Sequence, residues 1–301
     1  MENATASTYP SPYLLLPTIF LLSFSSVGIS AYYFLFKLIV QNSECMPNDV
    51  KFLITNLSCS FCLRALYMVY KFVYELLIFN YGFETFSVTF TYCAIEQSFY
   101  MVTGLCRNAT FLIISLNRLW KTVSKPSVFS HTANERSACS MTFILILSTW
   151  LPSYFLYSMV VIASTQTLDT NVHIRFCYLT SIFESHLSNV QNYVMLFMQF
   201  STTAVYIVVY VINKSKLREF KVGVMENSLN GRYVQWANVK VSRWLMPLTL
   251  FSALLSAATI SSAIIVRLTA KLSQIQSINM SMILIMIYGA DAALYPFMCI
   301  W

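Results

Sequence analysis

Charged side chains are what this chain has least of. Asp, Glu, Lys and Arg make up 10% of its 301 residues, against about 25% in a soluble globular domain. So few charges cannot cover a water-facing surface of ordinary size. Hydrophobic residues account for 57%, and the apolar runs alternate with short polar stretches from end to end. That distribution argues against two soluble domains, which the length alone would allow, and for a single all-α membrane domain over residues 1–301. Glycine numbers only six, roughly 2% against a usual 7%, which disfavours the Gly-interrupted helices of many transporters. Histidine is rarer still: His131, His173 and His186 are the three, and none has metal-ligand spacing to another. No Ser-His-Asp set, metal cluster or nucleotide-binding loop is visible. No catalytic residue, metal or cofactor is therefore expected.

The formal charge is +7, a sign that in a soluble protein would suggest nucleic acid. Here the basic residues fall between apolar runs, so they are read as setting membrane topology, and no nucleic-acid partner is expected. The runs cover 13–39, 51–79, 91–119, 140–163 and 189–212, then a sixth that follows Arg243 and ends near Val266, then 278–301. Each is long enough to cross a hydrocarbon core of about 30 Å as a helix, and a helix is required because the backbone finds no water partners there. The first run is too long for a signal-peptide core and follows Glu2 instead of a basic stretch, so it reads as an uncleaved span.

Lysine and arginine fall unequally on the two sides of these spans. Lys37, Lys51, Arg118, Lys121, Lys125, Arg136, Lys214, Lys216, Arg218, Lys221, Arg232, Lys240 and Arg243 lie on one side, and Arg175, Arg267 and Lys271 on the other. The basic side is cytoplasmic, which places a short N-terminus, 1–12, outside and the C-terminus inside, with almost no tail beyond the last span. Asn3 heads a glycosylation sequon on the outer segment, whereas the sequons at Asn56 and Asn108 fall inside spans. The longest polar stretch is the cytoplasmic connection 213–243. Its KSKLREFK run, 214–221, suits a helical extension that meets anionic lipid or a partner, or simply sets topology.

Of the eight cysteines, most lie in apolar runs, where a free thiol packs as a small hydrophobe. Cys59 and Cys62 form a C-x-x-C, read as packing because no second ligand pair accompanies them. Cys93 stands at the outer start of the third span and Cys177 between the fourth and fifth. They are the two placed at or beyond the oxidising outer boundary, so a disulfide between them would tie that connection to the helix; two free thiols are the alternative. Cys93 precedes Arg118 by 25 positions, or about 38 Å of helix, one tilted crossing of the membrane.

Six charges fall inside spans and balance: Arg64, Lys71 and Arg107 against Glu75, Glu96 and Asp291. Such residues are costly in a bilayer and face the bundle, where they pair. Positions 64, 71 and 75 share one helical stripe, and 96 and 107 share another. A structural ion network with Asp291 as counter-charge to the two arginines is one reading, and direct ligand contact the other. Pro152, Pro247 and Pro296 lie within spans, where proline creates kinks about which helices pivot.

The placement of Cys93 and Cys177, Arg118 in Asn117-Arg118-Leu119, Trp150, and the late Tyr295-Pro296 resemble a rhodopsin-like heptahelical receptor over the whole chain. Asn117 stands where that family usually has an acid, and the sixth and seventh spans lack its Cys-Trp-x-Pro and Asn-Pro-x-x-Tyr. With SLNRLWKTV at 115–123, the pattern is similar to the nematode serpentine chemoreceptors of the Sra and Srab families. The resemblance implies a G-protein-coupled chemosensory receptor in the plasma membrane, that of a sensory cilium included. It implies an extracellular small-molecule or peptide ligand, and a heterotrimeric G protein docking beside Arg118 and Asn117. The seventh span has no lysine for a retinal Schiff base, and Tyr100 stands where amine receptors carry an aspartate. Glu96, Tyr100 and Met101 are the candidate ligand-pocket residues. A transporter or channel lined by the buried charges is the competing expectation.

Overall fold

The computed structural model describes residues 15–41, 48–81, 88–123, 135–165, 173–174, 177, 185–221, 229–269, 287 and 294. They are almost entirely helical. Six long helices follow in order: α1 (Leu15–Gln41), α2 (Asn48–Tyr81), α3 (Phe90–Val123), α4 (Glu135–Thr165), α5 (Ser185–Lys221) and α6 (Leu229–Thr269). Two-residue strands β1 (Val88–Thr89) and β2 (His173–Ile174) pair antiparallel, with Val88 opposite Ile174. Of the expected seventh span, Ile287 and Leu294 alone are described, both helical; the remainder of 278–301 and the N-terminal 1–12 lie outside the described residues.

Local sequence accounts for these elements. Pro17 falls in the first turn of α1, where its missing N–H has no intrahelical acceptor to lose. Helices α4 and α6 continue through Pro152 and Pro247. Hydroxyl groups scattered through the apolar stretches bond back to their own helices: Thr110 Oγ1 donates to Cys106 O at 2.7 Å, Ser153 Oγ to Thr149 O at 2.6 Å and Thr259 Oγ1 to Leu255 O at 2.6 Å. A Ser or Thr satisfied in this way needs no water.

Within the connection 213–243 the described residues are helical. Helix α5 runs on to Lys221 and α6 starts at Leu229, and 222–228 lie outside the described residues. Lys, Leu, Arg and Glu, which hold six of the eight positions in the KSKLREFK run, are strong helix formers, and Gly and Pro are absent from it.

Helix α3 is the hub. It packs on α2, α4, α5 and α6 and meets both strands, while α1 lies on α2 and α6 on α5. Two stretches among the described residues are long and apolar enough to cross a membrane, Phe90–Trp120 in α3 and Asn192–Lys216 in α5. The apolar window of the first is 72% buried in the protein and that of the second 22%, so α3 is the central helix and α5 a peripheral one.

The one buried face of α5 is narrow and regular. Among the described side chains of α5, Gln199, Thr202, Tyr206, Val209 and Asn213 are the buried ones, at alternating spacings of three and four. On α3, Asn108, Phe111, Ser115, Arg118 and Thr122 repeat the same spacing and are buried too. This is a heptad seam between parallel helices. Its register is constant: Gln199 bonds Asn108 at 3.2 Å and Asn213 bonds Thr122 at 3.1 Å, each across 91 positions.

Candidate functional site

At one end of α3, Cys93 and Cys177 form a disulfide with their Cα atoms 5.3 Å apart. The β1–β2 pairing brings the two segments together just before each cysteine. The backbone at Cys177 is then gripped from two helices. Lys71 Nζ on α2 donates to Cys177 O at 2.8 Å, and Gln97 Nε2 on α3 donates to the same oxygen at 3.0 Å and to the Tyr67 hydroxyl at 2.9 Å. Lys71 also pairs with Glu96, Nζ to Oε1 at 2.6 Å, with both side chains buried. The expected disulfide is thus present, and the charges at 71 and 96 serve the same anchorage. Behind it pack Phe90, Ala94, Met101, Val102, Tyr157 and Val160, and the Tyr157 hydroxyl donates to Ala94 O at 2.5 Å.

Deeper along α3 the two arginines meet aromatic rings. The Arg64 guanidinium lies 4.2 Å from the Tyr100 ring centroid, and that of Arg107 lies 5.4 Å from the Phe61 centroid. A desolvated cation over a ring gains about 2 kcal/mol or more. Arg64 reaches α3 because Gly104 carries no side chain: a Cβ there would stand 3.3 Å from Arg64 Nη1 and 3.2 Å from Met195 Cε of α5. Three helices therefore meet at one Cα. Arg64, Lys71, Glu96 and Arg107 are all buried, as their shared stripes required. The Glu75 side chain and Asp291 lie outside the described residues.

The three candidate pocket residues divide between environments. Glu96 is tied to Lys71, Tyr100 lies between Arg64 and the Tyr67 ring at a centroid distance of 5.6 Å, and Met101 is in the packed cluster against α4. An open groove of roughly 260 Å³ lies between α3 and α4, lined by Phe90, Ile95, Tyr154 and Ile162 among others. Of the five hydroxyl residues along it, Thr91, Ser98, Tyr154, Tyr157 and Ser158, the hydroxyls of Ser98, Tyr157 and Ser158 are each bonded to a helix carbonyl, so it offers mainly apolar surface.

A second polar junction, at Asn56, ties α2, α3 and α4. Trp150 Nε1 donates to Asn56 Oδ1 at 2.8 Å, and Asn56 Nδ2 donates to Thr110 Oγ1 at 3.0 Å and Thr149 Oγ1 at 3.2 Å. The sequon asparagines 56 and 108 are both buried; Asn3 lies outside the described residues. Cys59 is exposed and Cys62 half-buried. Among the described residues no group of three His, Cys, Asp or Glu side chains comes together.

At the other end of α3, Arg118 is fully buried, while Asn117 beside it is half-buried. Tyr206 of α5 lies within electrostatic reach of the Arg118 guanidinium and is itself buried. One turn on, Thr122 accepts from Asn213 through its hydroxyl and from Lys216 Nζ through its carbonyl. Lys216 belongs to the basic run 214–221, so one of its charges caps the α3–α5 seam.

Sequence reasoning passed over Asn56, Gln97, Gln199, Tyr206 and Asn213. The signal for the last three was present, large polar residues at sevenfold spacing through the mainly apolar stretch 193–213. No protein-family model matches this chain, and no curated protein is similar enough to it to match.

Proposed function

We propose that the chain is a seven-helix receptor of the serpentine chemoreceptor type, with its N-terminus outside the plasma membrane. It binds an extracellular small-molecule or peptide cue and activates a heterotrimeric G protein. The observation that carries this reading is the double anchorage of α3. One end is held by the disulfide to Cys177 and the other buries Arg118 against α5, with polar seams between. A central helix held in this way can pass a change at the disulfide end to the arginine end. A ligand moves the bundle only through different affinity for two arrangements, and a rearrangement around the buried Arg118, with Tyr206 of α5 within electrostatic reach, would open a cytoplasmic cleft.

The outward faces support a bilayer setting. Trp120, Phe155, Phe197, Phe200 and Leu254 are large apolar side chains that stay exposed on helices α3 to α6, as outward faces bound for lipid would. The test is G-protein activation in a heterologous cell on exposure to candidate cues. Cue-dependent activation that is lost in Arg118→Ala at unchanged surface level is the expected result. Substrate flux in proteoliposomes without G-protein activation would replace the reading with a transporter or channel.

A further inference from the structure

The polar atoms in the middle of the α3–α5 seam are oriented by a chain of one-way constraints. Arg107 Nε donates to Asn108 Oδ1 at 3.3 Å, and Gln199 Nε2 donates to the same oxygen at 3.2 Å. A guanidinium has donors only, so Arg107 decides which end of the Asn108 amide turns towards it. The Asn108 oxygen in turn decides which end of Gln199 faces α3. Reversing either amide would set donor against donor or acceptor against acceptor. What remains is Asn108 Nδ2, a donor, and Gln199 Oε1, an acceptor, both without a hydrogen-bond partner among the described residues, on side chains 1% and 6% exposed.

A buried donor and a buried acceptor left open together call for a group that supplies their complements. We propose that Asn108 and Gln199 form a ligand subsite between α3 and α5 for a neutral group with an acceptor beside a donor, namely a primary carboxamide or an undissociated carboxylic acid. A carboxylate is disfavoured, because Gln199 Oε1 would face a second acceptor. An ammonium group is disfavoured, because Asn108 Nδ2 and the Arg107 guanidinium would face another donor. The inference rests on the receptor reading for the ligand's role and names the chemistry of one part of that ligand.

The approach is built into α3. Tyr100, Gly104 and Asn108 lie on one face at intervals of four, so the subsite is about 12 Å further along the helix than Tyr100. The notch at Gly104 is occupied by the Met195 methyl and by Arg64 Nη1. Methionine is the side chain most able to change shape at little cost, and Gln199 follows it by one turn on α5.

The experiment uses the purified full-length chain in lipid nanodiscs, with thermal unfolding as readout. Three probes of similar chain length are compared: hexanamide (donor and acceptor), 2-heptanone (acceptor only) and hexylamine (a cation). A saturable rise in Tm with hexanamide is expected, with 2-heptanone about tenfold weaker, as the loss of one hydrogen bond in a buried site implies, and hexylamine showing no saturable shift. In Gln199→Met the preference for hexanamide over 2-heptanone should fall below about twofold, since the acceptor for the ligand N–H is gone while the Asn108 Nδ2 donor, still oriented by Arg107, serves both probes alike. The absence of a saturable hexanamide shift, or an equal preference in Gln199→Met, overturns the proposal and leaves the two amides to an internal water. Should Gln199→Met fold poorly, the unaltered chain still decides: equal affinity for the three probes overturns the proposal. The assay contains no G protein. A chain that signals to a cue but ignores hexanamide loses this subsite alone, and one that binds hexanamide yet activates no G protein loses the receptor reading alone.

Discussion

The Asn213 amide of α5 donates to the Thr122 hydroxyl of α3 at 3.1 Å, 91 positions away, the same separation that relates Gln199 to Asn108. Two rungs with one offset, two heptads apart, mean that α3 and α5 run parallel in a single register. A shift of either helix by one turn would break both bonds and leave four buried amide or hydroxyl groups unmatched.

The two partners of a rung should therefore be energetically coupled. Thr122→Val and Asn213→Leu are each expected to destabilise the chain, and the double variant to lose less than their sum. Hydrogen bonds between membrane helices average about 0.6 kcal/mol and reach roughly 1.7, so a coupling in that range is expected from a double-mutant cycle on thermal unfolding in detergent. Strict additivity would show that the seam does not depend on this rung.

The disulfide makes a sharper prediction. Cys93→Ser and Cys177→Ser should each lower stability by about 2–4 kcal/mol and reduce surface expression equally. The double variant should be no worse than either, because both residues act through one bond. Additive losses would assign each cysteine a separate role.

Lys71 bridges the Glu96 carboxylate and the Cys177 carbonyl. Glu96→Gln leaves a buried ammonium without its counter-charge, a change that typically costs about 3–5 kcal/mol. Lys71→Met combined with Glu96→Gln should recover part of that loss, since no buried cation then remains. It should not recover all of it, because the Cys177 carbonyl loses a donor. A double variant less stable than Glu96→Gln would contradict the pairing.

At Gly104 two effects oppose each other. Alanine improves helix propensity by up to about 1 kcal/mol, while its methyl would crowd Met195 Cε and Arg64 Nη1 at 3.2 and 3.3 Å. Met195 can give way, so Gly104→Ala should lie within about 1 kcal/mol of the parent. Gly104→Val adds two further carbons against a guanidinium held on the Tyr100 ring and should lose about 1–3 kcal/mol. Equal melting temperatures for the parent and Gly104→Val would show that the notch is not close-packed.

Topology is checked by tags. One at the N-terminus should be reached by antibody on intact cells, and one inserted at 222–228 or added after Trp301 only after permeabilisation. The reverse pattern would remove the basis for an extracellular ligand.

Much of this arrangement was legible in the chain itself, for reasons that can be stated residue by residue. Arg64 and Lys71, seven apart in an apolar run, had to share a buried face because charge is too costly against hydrocarbon. Cys93 and Cys177 stood out because they are the two cysteines placed at or beyond the outer boundary of the spans. The α3–α5 seam was hidden, although its heptads are plainly there, because α5 is apolar on its exposed faces as well. A helix bound for lipid lacks the contrast between wet and dry sides that makes amphipathicity readable.

Length, apolar periodicity and the distribution of Lys and Arg determined by themselves that this protein is a bundle of long helices with its charges turned inward. These properties follow from local free energies of transfer, which each residue carries whatever its neighbours. Partner choice is different in kind. That Glu96 meets Lys71, that Arg64 and Arg107 rest on the rings of Tyr100 and Phe61, and that Arg107 orients Asn108 and through it Gln199 were decided only in the tertiary structure. Each depends on the rotation and offset of whole helices, set jointly by every contact along them, and a hydrogen bond is lost over shifts of less than an ångström that transfer energies do not register.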